Sequence, residues 1–351
     1  MKILNLIPSL ASDGAAAQLA LLATGLPRDR FEVQVGLLGD ADGLPTSLAA
    51  GLVPVTALGW TRLLDPRPLW RLRRLVRDFR PDVIHAWRPG ALRALAIAVG
   101  RPQARLVVSH PFATARGGEK PSRLDRWLLG RADRVVASGE AEADRCLRAG
   151  VPPAKVVVLR PGVASAPLAG TPGARRALLC AGRLEPHKGF REAIWAFDVL
   201  RMLYDELRLL LVGDGPDLPR LRRFVARTGA EAVEFVGARP DVPALMSGAE
   251  AVWVPSLADG GVRVALEAMA AGRPVVASRL PGLAEVIVEG ETGFLVPPGD
   301  KIALARQTRL LLDDVALRAR MGQAGRERVL REFSAMAAVS AAGALYEELA
   351  A

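Results

Sequence analysis

Two carboxylates, Asp259 and Glu267, stand eight residues apart on either side of the pair Gly260-Gly261. The surrounding segment, PSLADGGVRVALEAMAAGRP from Pro255 to Pro274, reads as the end of a buried strand, a Gly-Gly turn and a helix. Ala251-Val252-Trp253-Val254 is the apolar run of that strand. From Val264 onward, Leu266, Met269 and Ala270 fall on one helix face. Glycines let a backbone approach a ligand closely with its N–H groups turned outward. A helix start behind them carries roughly half a positive charge and suits an anion such as a diphosphate. The flanking carboxylates suit hydroxyl groups, those of a ribose or a sugar. On pattern alone, an ordinary βα turn with a capping Asp explains the segment equally well.

A second group of chemically capable residues lies at Gly182-Arg183-Leu184-Glu185-Pro186-His187-Lys188-Gly189. Arg183 offers a bidentate fork to phosphate oxygens and Lys188 a compact charge. Both sit at the entry to a helix over Phe190–Met202. Gly213-Asp214-Gly215-Pro216 forms a similar turn after the strand Leu207–Val212. Earlier in the chain, Gly14 closes the loop between a strand over residues 2–7 and a helix over Ala15–Leu26. His110 ends the strand Ala104–Ser109, a place from which side chains of parallel sheets point into a ligand crevice. His85, at the end of a strand over Pro81–His85, reads as structural. Val262 and Arg263 would add backbone N–H groups beside the Gly-Gly turn.

The elements that must position these groups alternate strand and helix throughout, so the fold class is α/β. Two Rossmann-like βαβ domains facing a central cleft are the natural architecture. The first spans residues 1–165. A stretch rich in Ala, Pro and Gly over 164–174 reads as a linker. The second spans 175–334. Two helices are expected to close the chain, the last over 335–351 crossing back to the first domain.

Composition narrows the function classes. The 351 residues are half apolar and 24% charged, the balance of a globular protein. No apolar run reaches transmembrane length, and the start lacks the form of a signal peptide, so a cytoplasmic location is expected. Cys146 and Cys180 read as reduced core thiols, and no metal-ligand cluster is evident. The net charge of +10 sits entirely in residues 1–165, which hold 24 Lys/Arg against 14 Asp/Glu. Arg71, Arg73, Arg74, Arg77 and Arg80 line a helix over Pro68–Phe79 flanked by Trp60 and Trp70. The charge excess fits an anionic membrane surface as well as it fits solvated helix faces, and basic residues with Trp at the edge suggest the membrane, although for this single helix a solvated face is the favoured reading. Nucleic acid does not, since no recognition motif accompanies the charge.

The motifs resemble those of the family-4 retaining glycosyltransferases, which have the GT-B fold. Gly182-Arg183-Leu184 followed by Lys188-Gly189 meets every fixed position of one family pattern. Pro255, Ser256, Gly260, Glu267 and Ala268 match the paired-acid motif. Asp259 stands where the family has Glu, Gly261 where it has Phe, and Val262 where it has Gly. Asp13 replaces the first glycine of the family's Gly-Gly loop, leaving Gly14. Asp is one methylene shorter than Glu, so the Asp259 carboxylate would reach about an ångström less, a difference that catalytic positioning feels.

The resemblance implies a nucleotide diphosphate sugar, UDP- or GDP-linked, bound mainly to the second domain. Arg183 and Lys188 would neutralise the leaving diphosphate in place of a metal ion. Gly14, Gly182, Gly213, Gly261, Val262, Arg263 and Glu267 would complete the donor site, with Glu267 on the ribose. His110 and Asp259 would contact the reacting sugar. The acceptor would be a glycan or lipid-linked hydroxyl held by the first domain, with no resident cofactor. Two readings compete: a catalytically impaired GT-B domain acting as an assembly partner in a glycan pathway, and an epimerase on the same fold.

Overall fold

The computed structural model describes residues 1–10, 14–40, 48, 51–60, 65–112, 122–165, 176–229, 232–258 and 260–351. They form two compact units, Met1–Gly162 with Ala335–Ala351, and Val163–Ser334.

The first unit contains β1 (Lys2–Ile7), α1 (Gly14–Gly25), β2 (Glu32–Leu37), β3 (Val55–Ala57), α2 (Arg67–Phe79), β4 (Val83–Trp87) and α3 (Arg88–Ala98). It continues with β5 (Arg105–Ser109), α4 (Arg123–Gly130), β6 (Arg134–Ala137), α5 (Glu140–Arg148) and β7 (Val156–Val158). The seven strands are ordered β3-β2-β1-β4-β5-β6-β7 and pair in parallel. Ile3, Leu4, Leu6 and Ile7 of β1 are all fully buried, because helices cover both sheet faces. One apolar layer gathers Leu19, Ala23 and Phe31. The other gathers Leu72, Leu92, Leu95, Leu128 and Leu129 from α2, α3 and α4. Arg93 of α3 grips Asp125 of α4 through two hydrogen bonds of 2.7 and 2.5 Å. Asp125 also closes a capping box with Ser122, which fixes where α4 begins.

The second unit contains β8 (Ala177–Ala181), α6 (Phe190–Arg201), β9 (Arg208–Val212), α7 (Leu218–Thr228), β10 (Val233–Gly237), α8 (Val242–Ser247) and β11 (Ala251–Val254). After these come α9 (Val262–Ala270), β12 (Val275–Ser278), α10 (Pro281–Val286), β13 (Gly293–Val296), α11 (Lys301–Asp313) and α12 (Val315–Glu332). Its sheet order is β10-β9-β8-β11-β12-β13, again parallel. Trp253 is buried in the centre, and its indole N–H donates to Thr308 Oγ1 at 2.8 Å, so the ring costs no unsatisfied donor. The last helix, α13 (Ala335–Ala350), rejoins the first unit and packs on α1.

Several expectations need correction. Three helices close the chain rather than two, because Asp314 ends α11 and caps α12 by accepting from the Leu317 N–H at 2.8 Å. Helix α9 opens at Val262, directly after Gly261, not at Val264. Strand β4 runs past His85 to Trp87, so His85 lies inside the strand. Residues 113–121, most of the loop expected over Gly118–Ser122, lie outside the described residues.

Candidate functional site

In the second unit the chemistry-bearing loops follow the carboxyl ends of β8, β9 and β11, the end at which open α/β sheets bind ligands. Gly182 follows β8 and Gly213 follows β9. Their backbones approach so closely that a methyl group on Gly213 would overlap the Gly182 carbonyl. The Leu184 N–H donates to the Asp214 carbonyl and the Asp217 N–H to the Leu184 carbonyl, both at 2.9 Å. These bonds hold the Arg183 loop against the turn after β9.

The same loop is fastened to the segment after β11. The Leu257 N–H donates to the His187 carbonyl at 2.8 Å. Gly189 has φ 74° and its α-carbon lies against the Pro255 carbonyl, where a β-carbon would collide. This contact explains the glycine after Lys188 and brings the two sequence motifs together. Gly260 has φ 119°, and the Lys188 ammonium fills the space where a side chain at 260 would begin. The lysine charge is therefore held beside the start of α9. No side chain among the described residues caps that helix, so its first N–H groups add positive potential there.

Arg183 is oriented by a residue that the spacing arguments passed over. Its Nε–H donates to Glu185 Oε1 at 2.7 Å, and the other Glu185 oxygen lies 3.5 Å from His187 Nδ1. An acidic residue two places after a candidate phosphate-binding arginine was the available signal. In α9, Arg263 pairs with Glu267 at 2.7 Å. The Glu267 side chain is only 19% exposed. Burial raises its pKa above the usual carboxylate range, opposed in part by Arg263. Val262 turns its side chain toward Gly282 of α10, so the extra bulk relative to the family's glycine rests against a residue with none. Gly261, with φ 90°, packs on Val254 and the buried Ser256. Asp259 and Asp13 lie outside the described residues.

In the first unit, Gly14 opens α1 and is exposed. His110 directly follows β5 and is one of the few residues other than glycine with positive φ, 50°. Its ring lies 5.9 Å from that of Trp87. Trp87 is anchored by its indole N–H, which donates to Asn5 Oδ1 of β1 at 3.0 Å. Trp87 also stacks on His85, with centroids 4.5 Å apart. His85 is held at both nitrogens, by Tyr346 Oη and Ser109 Oγ at 2.7 Å each. Burial lowers its pKa to about 3, with a further contribution from His110, so the ring is neutral at ordinary pH. Both cysteines are free and buried, and burial raises the pKa of each thiol. Among the described residues no group of His, Cys, Asp and Glu is placed to hold a metal ion.

Comparison with known proteins agrees with this arrangement. Residues 12–166 match the model of Glycosyltransferase Family 4, and residues 169–328 match that of Glycosyl transferases group 1. Over 305 residues the chain is 31% identical to a glycogen synthase of Mycobacterium tuberculosis, covering 79% of this chain and 71% of that protein. The chain belongs to glycosyltransferase family 4. Another member, a phosphatidyl-myo-inositol mannosyltransferase of Mycobacterium leprae, is 37% identical over 273 residues, 74% of this chain and 72% of that one. The crystal structure of Anabaena HepE in complex with UDP-glucose superimposes with a TM-score of 0.88 at 26% identity, covering 99% of this chain and 100% of that chain. The two parallel sheets with their helices are thus the two Rossmann-like halves of a GT-B glycosyltransferase.

Proposed function

We propose that this glycosyltransferase moves a hexosyl group from a nucleotide diphosphate sugar to an acceptor hydroxyl with retention of anomeric configuration. The observation that carries the reading is the Lys188 ammonium seated at Gly260, beside the uncapped start of α9. A diphosphate placed there meets Lys188, helix N–H groups and, from the adjoining loop, Arg183. These charges stabilise the leaving diphosphate as the glycosidic bond breaks, the task a metal ion performs elsewhere. Glu267 accepts hydrogen bonds from ribose hydroxyls, and Asp259 and His110 orient the sugar. The attacking hydroxyl comes in on the face the diphosphate leaves, and a phosphate oxygen takes its proton. UDP is the first choice of nucleotide, since the Anabaena relative was crystallised with UDP-glucose.

The acceptor belongs to a cell-surface glycan or glycolipid, and the enzyme works in the cytoplasm at an anionic membrane face. Trp70 of α2 and Trp127 of α4 are 62% and 57% exposed, and both lie among arginines. Arg74 sits over Trp70 and Arg131 over Trp127, at 5.7 and 4.6 Å. Basic groups around exposed indoles suit a lipid headgroup region. No described helix is long and apolar enough to cross a membrane.

Calorimetric titration with UDP, GDP, ADP and CDP tests the donor site. Micromolar binding of one nucleotide, lost in Arg183→Ala, is expected; binding of none would remove the reading. The proton–proton coupling at the new anomeric centre then reports retention, and turnover in chelator reports independence from metal.

A further inference from the structure

The described residues of the first unit contain a row of aromatic groups that leads to His110, and the proposed reaction uses only that last member. Tyr346 meets His85 edge-on at 5.8 Å, His85 stacks on Trp87, and Trp87 faces His110. A hydrogen-bonded path runs beside it, from Tyr346 Oη through both nitrogens of His85 to Ser109 Oγ. Ser109 is the residue before His110 and pairs with Trp87 across β4 and β5. Three of the four ring residues are buried, and His110 is partly open.

This construction answers a physical need. A non-glycine residue at positive φ is held against its preference, so the surroundings must over-determine it. His110 has such a backbone. Ser109, its neighbour in the chain, bears on its main chain, and the Trp87 ring, tilted at 5.9 Å, bears on its ring. Each is in turn fixed by His85. As a neutral ring, His85 donates from one nitrogen and accepts at the other. Removing either partner leaves a buried polar nitrogen unsatisfied, so the ring is free to shift toward another partner.

We infer that His85 and Tyr346 are positioning residues for His110, acting through Ser109 and Trp87 without touching the substrate. The inference rests on the proposed role of His110 beside the reacting sugar. It also ties the last helix of the chain to the reaction: α13 supplies the hydroxyl that fixes the His85 ring.

Tyr346→Phe removes that hydroxyl and keeps the ring. The expected result is a fall in kcat of about ten- to a hundred-fold, the scale of a small misplacement at a reacting centre. The Kd for the nucleotide should stay unchanged, because the diphosphate site belongs to the second unit. In a His110→Ala background the same change should cost nothing further. An equal loss with and without His110 would overturn the inference.

A second readout does not depend on turnover. The chain has three histidines, so protein labelled at the imidazole carbons gives three assignable ring signals. Tyr346→Phe should move the His85 and His110 signals and leave that of His187 in place. Ser109→Ala should move the same pair, and it serves if Tyr346→Phe does not fold. A His110 signal unmoved in either folded variant would overturn the inference. Absence of turnover in the unmodified protein would instead count against the proposed function, and the spectra would still decide the positioning.

Discussion

The Lys188 ammonium occupies the space beside the Gly260 α-carbon that the β-carbon of any other residue would take. Two motifs more than seventy positions apart in the chain therefore share one small volume. Gly260→Ala should expel the ammonium and strain the backbone at φ 119°. Loss of one charge-assisted contact corresponds to roughly 1.5–3 kcal/mol, a ten- to hundred-fold weaker Kd for a nucleoside diphosphate. Calorimetry measures this directly, and an unchanged Kd would show that the lysine does not meet the phosphates.

Glu185→Gln removes the charged partner of the Arg183 Nε. Arg183 should then sample other rotamers, raising the KM for the donor several-fold with little effect on thermal stability. The pair is partly exposed, so its contribution to folding is small. A large drop in melting temperature would instead make Glu185 a structural residue.

Glu267 has its pKa raised by burial. The folded protein therefore holds the Glu267 proton to higher pH than the unfolded chain, and this carboxyl withdraws stability as pH rises through that window. Glu267→Gln should stabilise the ligand-free protein at pH 7 relative to pH 4 and weaken nucleotide binding. Denaturant midpoints at the two pH values check the first effect. A variant less stable at pH 7 than the parent would mean that the Arg263 pair outweighs desolvation.

His85 predicts the opposite slope. Its folded pKa, lowered to about 3, lies below the ordinary value of 6.5. The stability this represents is complete above pH 6.5 and is lost as pH falls toward 3. At pH 5 the loss should be about 2 kcal/mol. Urea unfolding at pH 7 and pH 5 should show it, and His85→Gln should flatten the difference. Equal slopes in the two proteins would refute the assignment to His85.

Arg74→Glu with Arg77→Glu reverses charge on the exposed face of α2. Co-sedimentation with vesicles containing phosphatidylglycerol should fall at least ten-fold, while binding to neutral phosphatidylcholine vesicles stays low for both proteins. About 1 kcal/mol per basic residue supports that magnitude. Binding by the parent that ignores lipid charge would leave this face without a membrane role.

Much of the second unit was legible in the chain. Gly182-Arg183-Leu184 with Lys188-Gly189, and Pro255-Ser256 with Gly260, are local spacings, and each glycine answers a contact in the folded loops. Glu185 offered only its place two residues after Arg183, because its role depends on the rotamer it shares with that arginine. The bounds of the strand that carries His85 were less legible. Pro81-Asp82 suggested a strand that starts at once and ends at His85, whereas the strand starts at Val83 and carries Trp87 to its end. The bond from Trp87 to Asn5 and that from His85 to Tyr346 span 82 and 261 residues, distances over which no periodic pattern carries information. Asp314 shows the reverse case: a short capping signal was present, and the apolar periodicity on either side of it hid the break between α11 and α12.

Because α13 belongs to the first unit yet follows the whole of the second, the order of synthesis and the order of completion differ. The second unit can emerge and close while the first still lacks Tyr346 and the rest of the layer over α1. Until then His85 has one unsatisfied nitrogen and the α1 face is uncovered. The nascent first unit therefore keeps apolar surface exposed until α13 has emerged, the condition under which chains aggregate or engage chaperones.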